Sequence, residues 1–335
     1  MTGLPPELRA ALGPAGTLLW ASATGRLALG RLAGLVPESG WPRALAGLEP
    51  VLTAARSEGS DPLSPRTVDR ALRRAWNGKW TEVLEDLDLE VPVAVTPLAQ
   101  VHRGRLDGAP VAVKVRRPGV ETLVDSDLRL ARAVGGDGVP DAVFDLVLEL
   151  LDFEVEAARQ SAARRLLRAV PGASVPAVRT EWCRSNVLVS EWMSGPTLAS
   201  SAPLDPAGTA RTLLLAHAAA ARGGLVLLEP RPWHVVVLQD GTLSLLGAGA
   251  ALPIDGAQVD AALARLPASL LGEFADGPAL LDAPAFARRG DAAFAVLDAA
   301  RGLSFTEAAL AASAGQLAAV LARLEVRTDW LALVA

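Results

Sequence analysis

The sequence predicts an α+β chain of two lobes behind an N-terminal helical extension, and three observations carry that prediction. Alternating apolar and polar residues flank Asp107-Gly108, the signature of a β-hairpin, and the pattern returns on a smaller scale around Asp240-Gly241. Elsewhere the apolar residues recur mostly at helical spacing. The chain is also long enough, at 335 residues and 51% hydrophobic, to bury more than one core. Hairpins set apart from helical stretches give α+β rather than a regular strand–helix alternation.

Taken in order, residues 10–57 read as Ala/Leu-rich helices and 59–64 as a polar loop. Ser64-Pro65 starts the next helix, with Ser as cap and Pro in the first turn. Val68, Ala71, Leu72, Ala75 and Trp76 follow at helical spacing, and Asn77-Gly78 stops it. A short helix is expected over 79–88. In the hairpin Val111, Val113 and Val115 point one way, and Ala112, Lys114 and Arg116 the other. Pro118-Gly119 ends it, a helix carries Leu123, Val124, Leu128, Ala131 and Val134 on one face, and a longer helix is expected over 141–169. Strands at 177–181 and 187–192, a turn at Ser194-Gly195-Pro196, an Ala-rich helix over 206–222, a hairpin over 234–246 and helices over 256–335 complete the chain. The boundaries fall at an extension over 1–90, a first lobe over 91–195 and a helical second lobe over 196–335.

The net charge of −5 excludes a broad basic surface for nucleic acid. Cys183 is the single cysteine, so neither an intrachain disulfide nor a cysteine metal cluster is available. The start lacks the basic region of a signal peptide: Pro5-Pro6 and Glu7 precede the apolar run, and Gly13-Pro14 interrupts it. The expectation is a cytoplasmic protein, with residues 10–36 read as a helix packed on its own domain and, as the alternative, an amphipathic helix attached peripherally to a membrane. Lys79 and Lys114 are the only lysines among 32 basic residues. Where arginine is the habitual cation, a retained lysine is informative. His102 reads as a structural hydrogen-bonding residue, and His217, in an Ala-rich helix, matches no motif.

Residues 97–134, PLAQVHRGRLDGAPVAVKVRRPGVETLVDSDLRLARAV, resemble the UbiB/AarF family of atypical kinases, in which an Ala-rich loop runs into A-Q-V-H and then D-G-x-x-V-A-V-K-V-x-R-P-G-V. LLDFEVEA at 150–157 and VLVSEWMSG at 187–195 continue the resemblance in the same order, over about 91–250 in all. It implies a protein-kinase-like, two-lobed α+β fold. It also implies a nucleotide grip: Lys114 on the α/β-phosphates, Glu156 holding that lysine from the αC-like helix, Gln100 in the loop over the phosphates, and Glu191, Trp192 and Met193 as the adenine-facing hinge. In that loop Thr96 and Pro97 replace small residues, and Pro97 removes a backbone donor.

The catalytic stretch departs from the family. Its H-A-D-P-H-P-G-N-I-L-V and D-G-x-L-x-L-L-D-F-G read here LLEPRPWHVVVLQDGTLSLLGAG over 227–249. Glu229 stands at the catalytic-loop aspartate, His234 at the metal-binding asparagine, Gly247 at the metal-binding aspartate and Ala248 at the phenylalanine. Mg²⁺ requires hard oxygen ligands, and imidazole nitrogen suits softer metals. The family's K-x-G-Q motif is absent, with Leu18, Trp20 and Ala21 on its positions, and its E-x-D keeps only Asp152, with Leu150 on the acid. The resemblance with these departures implies a pseudokinase that holds ATP weakly or without Mg²⁺ and acts as a regulator or scaffold, with a protein or a membrane lipid surface as partner. The alternative is an active atypical kinase or ATPase, linked to isoprenoid quinone or lipid metabolism, that works through Glu229, His234 and Arg231.

Overall fold

The computed structural model describes residues 62–96, 98–122, 124–125, 149, 151–228 and 230–265, and scattered positions between 304 and 326. They fall into two units. The first holds the described residues up to Ala158 together with Ala177–Trp192; the second holds Arg159–Pro176 and the described residues from Met193 onward. The expected helices over 10–57 and 141–148 lie outside the described residues.

The first unit is a five-stranded antiparallel sheet with helical segments on both faces. Helix α1 (Pro65–Trp76) opens as its sequence predicts: Ser64 Oγ accepts from Thr67 N at 3.3 Å, Pro65 occupies the first turn, and Asn77 ends the helix at φ 52°. The expected helix over 79–88 is instead a single 3₁₀ turn, Trp80–Glu82, followed by strand β1 (Asp86–Leu87). Pairing of Asp86 with Arg105 and Leu87 with Gly104 supplies backbone partners there, and buries Leu84 and Leu87. Aspartate, a poor helix former, favours that outcome. Strand β2 (Ala94–Val95) joins the same edge on β3 (Ala99–Leu106). Strand β4 (Ala109–Arg116) closes the hairpin through Asp107 at φ 49° and Gly108 at φ 74°, and β6 (Val187–Glu191) pairs on its far side. Gly104 has a structural reason: a Cβ there would stand 2.8 Å from Asp86 O.

The period-2 alternation of β4 sets the layers. Val111, Val113 and Val115 are fully buried against Val68 and Leu72 of α1, Leu84, Leu87 and Val189. Each contributes roughly 1.5–3 kcal/mol by leaving water. Trp76 donates its indole N–H to Trp182 O at 2.9 Å and meets the Trp182 ring edge-on. On the opposite face, helix α2 (Phe153–Leu167) begins by inserting Phe153 among Ala99, Ala157, Cys183 and Leu188. The strand expected over 177–181 reduces to a bridge between Val178 and Ser190, followed by a 3₁₀ turn at Thr180–Trp182.

In the second unit, α3 (Pro206–Arg222) matches its expected limits, capped by Asp205, which accepts from Gly208 N at 2.9 Å. Short strands follow: β5 (Ala173–Ser174) parallel to β9 (Leu243–Leu245), β9 antiparallel to β8 (Val235–Val237), and β7 (Leu225–Leu227) antiparallel to β10 (Ala251–Pro253). The β8–β9 turn is set by Gly241 at φ 84° and by Asp240, whose carboxylate accepts from Thr242 N at 2.9 Å and is thereby held below its ordinary pKa. At the predicted turn, Gly195 lies where a Cβ would meet Val237 O at 2.2 Å, so only glycine lets the chain pass there. Helix α4 (Val259–Arg265) follows. Further on, Ser304 N donates to Glu307 Oε2 and Glu307 N to Ser304 Oγ, a reciprocal capping box.

Candidate functional site: a lysine–glutamate grip

Lys114 sits on the central strand of the first unit's sheet, between Val101 of β3 and Leu188 of β6. Strand alternation turns it away from the valine layer and toward the start of α2. There its Nζ donates to both oxygens of Glu156, each at 2.7 Å. Nζ also lies 4.5 Å from the centre of the Phe153 ring, a cation–π contact. Glu156 is placed by the helix start. Asp152 caps α2, its carboxylate accepting from Glu154 N at 2.9 Å and its carbonyl from Glu156 N at 3.1 Å. The surviving half of the E-x-D motif therefore aims Glu156. Lys114 and Glu156 side chains are 28% and 17% exposed, so solvent reaches the pair without screening it fully. The result is an ammonium of fixed direction with one open side, suited to an oxyanion such as a phosphate.

Gln100 is a correction to the sequence reading. It is fully buried and pairs with Val115, so it lies on the valine face, opposite Lys114. Its Oε1 accepts from Leu63 N at 2.6 Å, and its amide nitrogen meets His102 Nε2 at 2.8 Å. Since His102 Nδ1 can only donate to Asp88 O, at 2.6 Å, Nε2 is the acceptor of the Gln100 amide. Burial lowers the His102 pKa against the opposing pull of Asp88, which fits this neutral tautomer. The row Leu63–Gln100–His102–Asp88 ties the segment before α1 and the β1–β2 link to β3. Parity is the available signal: Gln100 and His102 are the cross-strand partners of Val115 and Val113 and share their face.

The hinge residues lie at the end of β6. Glu191 N donates to Ala177 O at 2.7 Å, and its carboxylate accepts from Ala177 N at 3.1 Å. Trp192 N donates to Pro110 O, and the Arg103 guanidinium stacks 5.2 Å from the Trp192 ring. Two of the three hinge N–H groups are thus spent on the protein. That of Met193 makes no backbone hydrogen bond among the described residues.

In the second unit, a 3₁₀ turn at Pro232–His234 leads into β8, and His234 O accepts from Leu246 N at 2.8 Å. That bond sets His234 beside the Leu246-Gly247 step. Arg231 lies 5.6 Å from the Trp233 ring, and Trp233 meets His234 edge-on. Glu229 and Pro97 lie outside the described residues. At the two positions that align with the family's metal ligands, Gly247 brings no side chain and His234 brings nitrogen rather than the hard oxygen that Mg²⁺ prefers. Among the described residues no three His, Cys, Asp or Glu side chains come together as metal ligands. No described helix is long and apolar enough to cross a membrane.

Residues 57–222 match the ABC1 atypical kinase-like domain. "Probable protein kinase UbiB" of Aeromonas hydrophila is 34% identical over 148 residues, covering 39% of this chain and 27% of that protein. "Atypical kinase COQ8B, mitochondrial" of Rattus norvegicus is 37% identical over 138 residues, covering 38% and 25%. The matched segment thus spans about a quarter of these relatives' length. Among solved structures, the complex of Rv3197 with erythromycin from Mycobacterium tuberculosis aligns over 92% of this chain and 89% of that one. Its TM-score is 0.61 at 21% identity, a likeness of fold. The fold is α+β and kinase-like.

Proposed function

The chain belongs to the UbiB/AarF family of ABC1 atypical kinase-like proteins, and from that premise we propose that it is a pseudokinase: it holds a nucleotide through Lys114 without depending on Mg²⁺, and acts by conformation rather than by phosphoryl transfer. One observation carries this reading. The Lys114–Glu156 pair is intact at 2.7 Å, whereas the two positions the family uses for the metal are Gly247 and His234. A lysine so held supplies charge and direction to the phosphates of ATP. Transferring a phosphoryl group also requires neutralising the charge that spreads over it, which the metal normally does. Loss of that contribution costs several kcal/mol of transition-state stabilisation, on the order of 10³-fold or more in rate.

The test is a thermal-shift titration with ATP, with and without Mg²⁺, on the wild type and on Lys114→Ala. The expected result is a shift that the metal does not enlarge and that Lys114→Ala abolishes. ATP turnover that requires Lys114 and a divalent ion would overturn the proposal in favour of an active kinase or ATPase. Removing the lysine itself costs about 1–2 kcal/mol of stability. That lies between the exposed and the buried limits for an ion pair, because Glu156 keeps some access to water.

A further inference from the structure

We infer that the first unit carries a second anion site, separate from Lys114, formed by Arg70, Arg74, Arg116 and Arg117 and shaped for a phosphate group. These arginines line a recess of about 260 Å³ together with Thr67, Glu121 and Asn186. Four arginines and one acidic residue thus line the recess, in a chain whose net charge is −5.

The lone carboxylate is already committed, since Glu121 pairs with Arg116. Arg116 also donates to Leu151 O and Ser185 O, which fixes its position, and Arg117 Nε donates to Thr96 O at 2.8 Å. Arg70 and Arg74 differ. They stand one turn apart on the exposed side of α1 and make no hydrogen bond or ion pair among the described residues. Their neighbour Arg73 is paired with Asp69, so the helix does provide carboxylates where pairing is needed. Two unpaired cations beside two anchored ones form a cluster that repels itself until an anion enters.

The planar guanidinium fork matches the oxygens of a phosphate two at a time, and a concave site with several such forks favours a compact phosphate over an extended acidic chain. Thr67 and Asn186 supply neutral donors on the same wall. The ligand class is therefore a phosphomonoester, presented either by a free metabolite or by a lipid headgroup.

The experiment uses the full chain, wild type, Arg70→Gln/Arg74→Gln and Lys114→Ala. One arm measures thermal shift with inorganic phosphate and with glycerol 3-phosphate against chloride at equal ionic strength. The other measures sedimentation with phosphatidylcholine vesicles with and without phosphatidic acid. Arg70 and Arg74 are exposed, so the double variant folds, with an anion-free midpoint at or slightly above that of the wild type because part of the repulsion is gone. The expected result is an anion-specific response in at least one arm, weakened about tenfold or more in apparent affinity by the arginine pair and retained in Lys114→Ala. A response in the first arm alone identifies a free phosphate; one requiring phosphatidic acid identifies a headgroup. No anion-specific response in either arm, or one that survives the double substitution, overturns the inference. A response abolished by Lys114→Ala alone assigns the anion to the grip and overturns it equally.

Discussion

The two stretches that resemble kinase machinery have fared differently, one in each unit. On β4 and α2 the charged residues remain and are built into the packing: Lys114 rests over Phe153, and Glu156 is aimed by the Asp152 cap. Just before β8 and just after β9 the family's metal-binding positions are occupied by His234 and Gly247, yet the hairpin is regular, with Val235 opposite Leu245 and Val237 opposite Leu243. The contrast shows what each element depends on. The β8–β9 hairpin is held by buried Val235, Leu243 and Leu245 and by the Asp240-Gly241 turn, none of which a metal ligand supplies. The hairpin therefore forms with His234 and Gly247 at the metal-binding positions. In the first unit the ion pair and the aromatic beneath it belong to one packed layer.

The largest effect that would break this contrast comes from Phe153→Ala. Phe153 is 2% exposed and joins Ala99, Ala157 and Leu188, so truncation should cost about 3–5 kcal/mol. Urea denaturation measures that cost, and the ATP-induced thermal shift should fall with it because the shelf under Lys114 is gone. If Phe153→Ala destabilises the chain but leaves the nucleotide response intact, then the packing does not position the lysine.

Acid should sharpen the contrast next, through the two buried histidines. His102, in the first unit, has both ring nitrogens hydrogen-bonded. His217, on α3, donates through Nδ1 to Leu213 O at 2.8 Å, while its Nε2 has no partner among the described residues. Burial lowers its pKa from 6.5 to about 4. Between those values the unfolded chain takes up a proton that the folded chain refuses. His217 stability is therefore complete above about pH 6.5 and is lost as pH falls toward 4, by up to about 3 kcal/mol. His217→Leu should flatten the fall in melting temperature between pH 7 and 4. An unchanged slope would place the acid sensitivity elsewhere.

Much of this was legible in the sequence, for reasons that separate the elements. The β3–β4 hairpin and α3 carry their own instructions: alternation with Asp-Gly in one, Asp205-Pro206 at the start of the other. The turn-and-strand at 80–87 and the β7–β10 pair do not, because two- and three-residue strands are specified by partners far along the chain, as Asp86 is by Arg105. The candidate site divides in the same way. Lys114 and Glu156 were readable from motif and order. Gln100 is adjacent to the motif in sequence, but strand parity places it on the buried valine face. The arginine recess was invisible because Arg70 and Arg74 lie more than forty residues before Arg116 and Arg117 in the sequence, and only folding brings the four together.

The smallest effect on stability, and the sharpest test of the contrast, is to return oxygen ligands to the hairpin. Gly247 is not among the glycines with positive φ, so an aspartate meets no backbone penalty there, and the position is half-exposed. Gly247→Asp with His234→Asn should change stability by about 0.5 kcal/mol or less from the first substitution and little more from the second. Its consequence should appear in metal dependence. ATP should shift the melting temperature of the double variant further with Mg²⁺ than without, whereas the wild type shows no such increment, because two hard oxygen donors now stand where nitrogen and a bare backbone stood. A wild-type shift that already requires Mg²⁺ would remove the difference between the two units. The metal would then have to be held by groups other than His234 and Gly247.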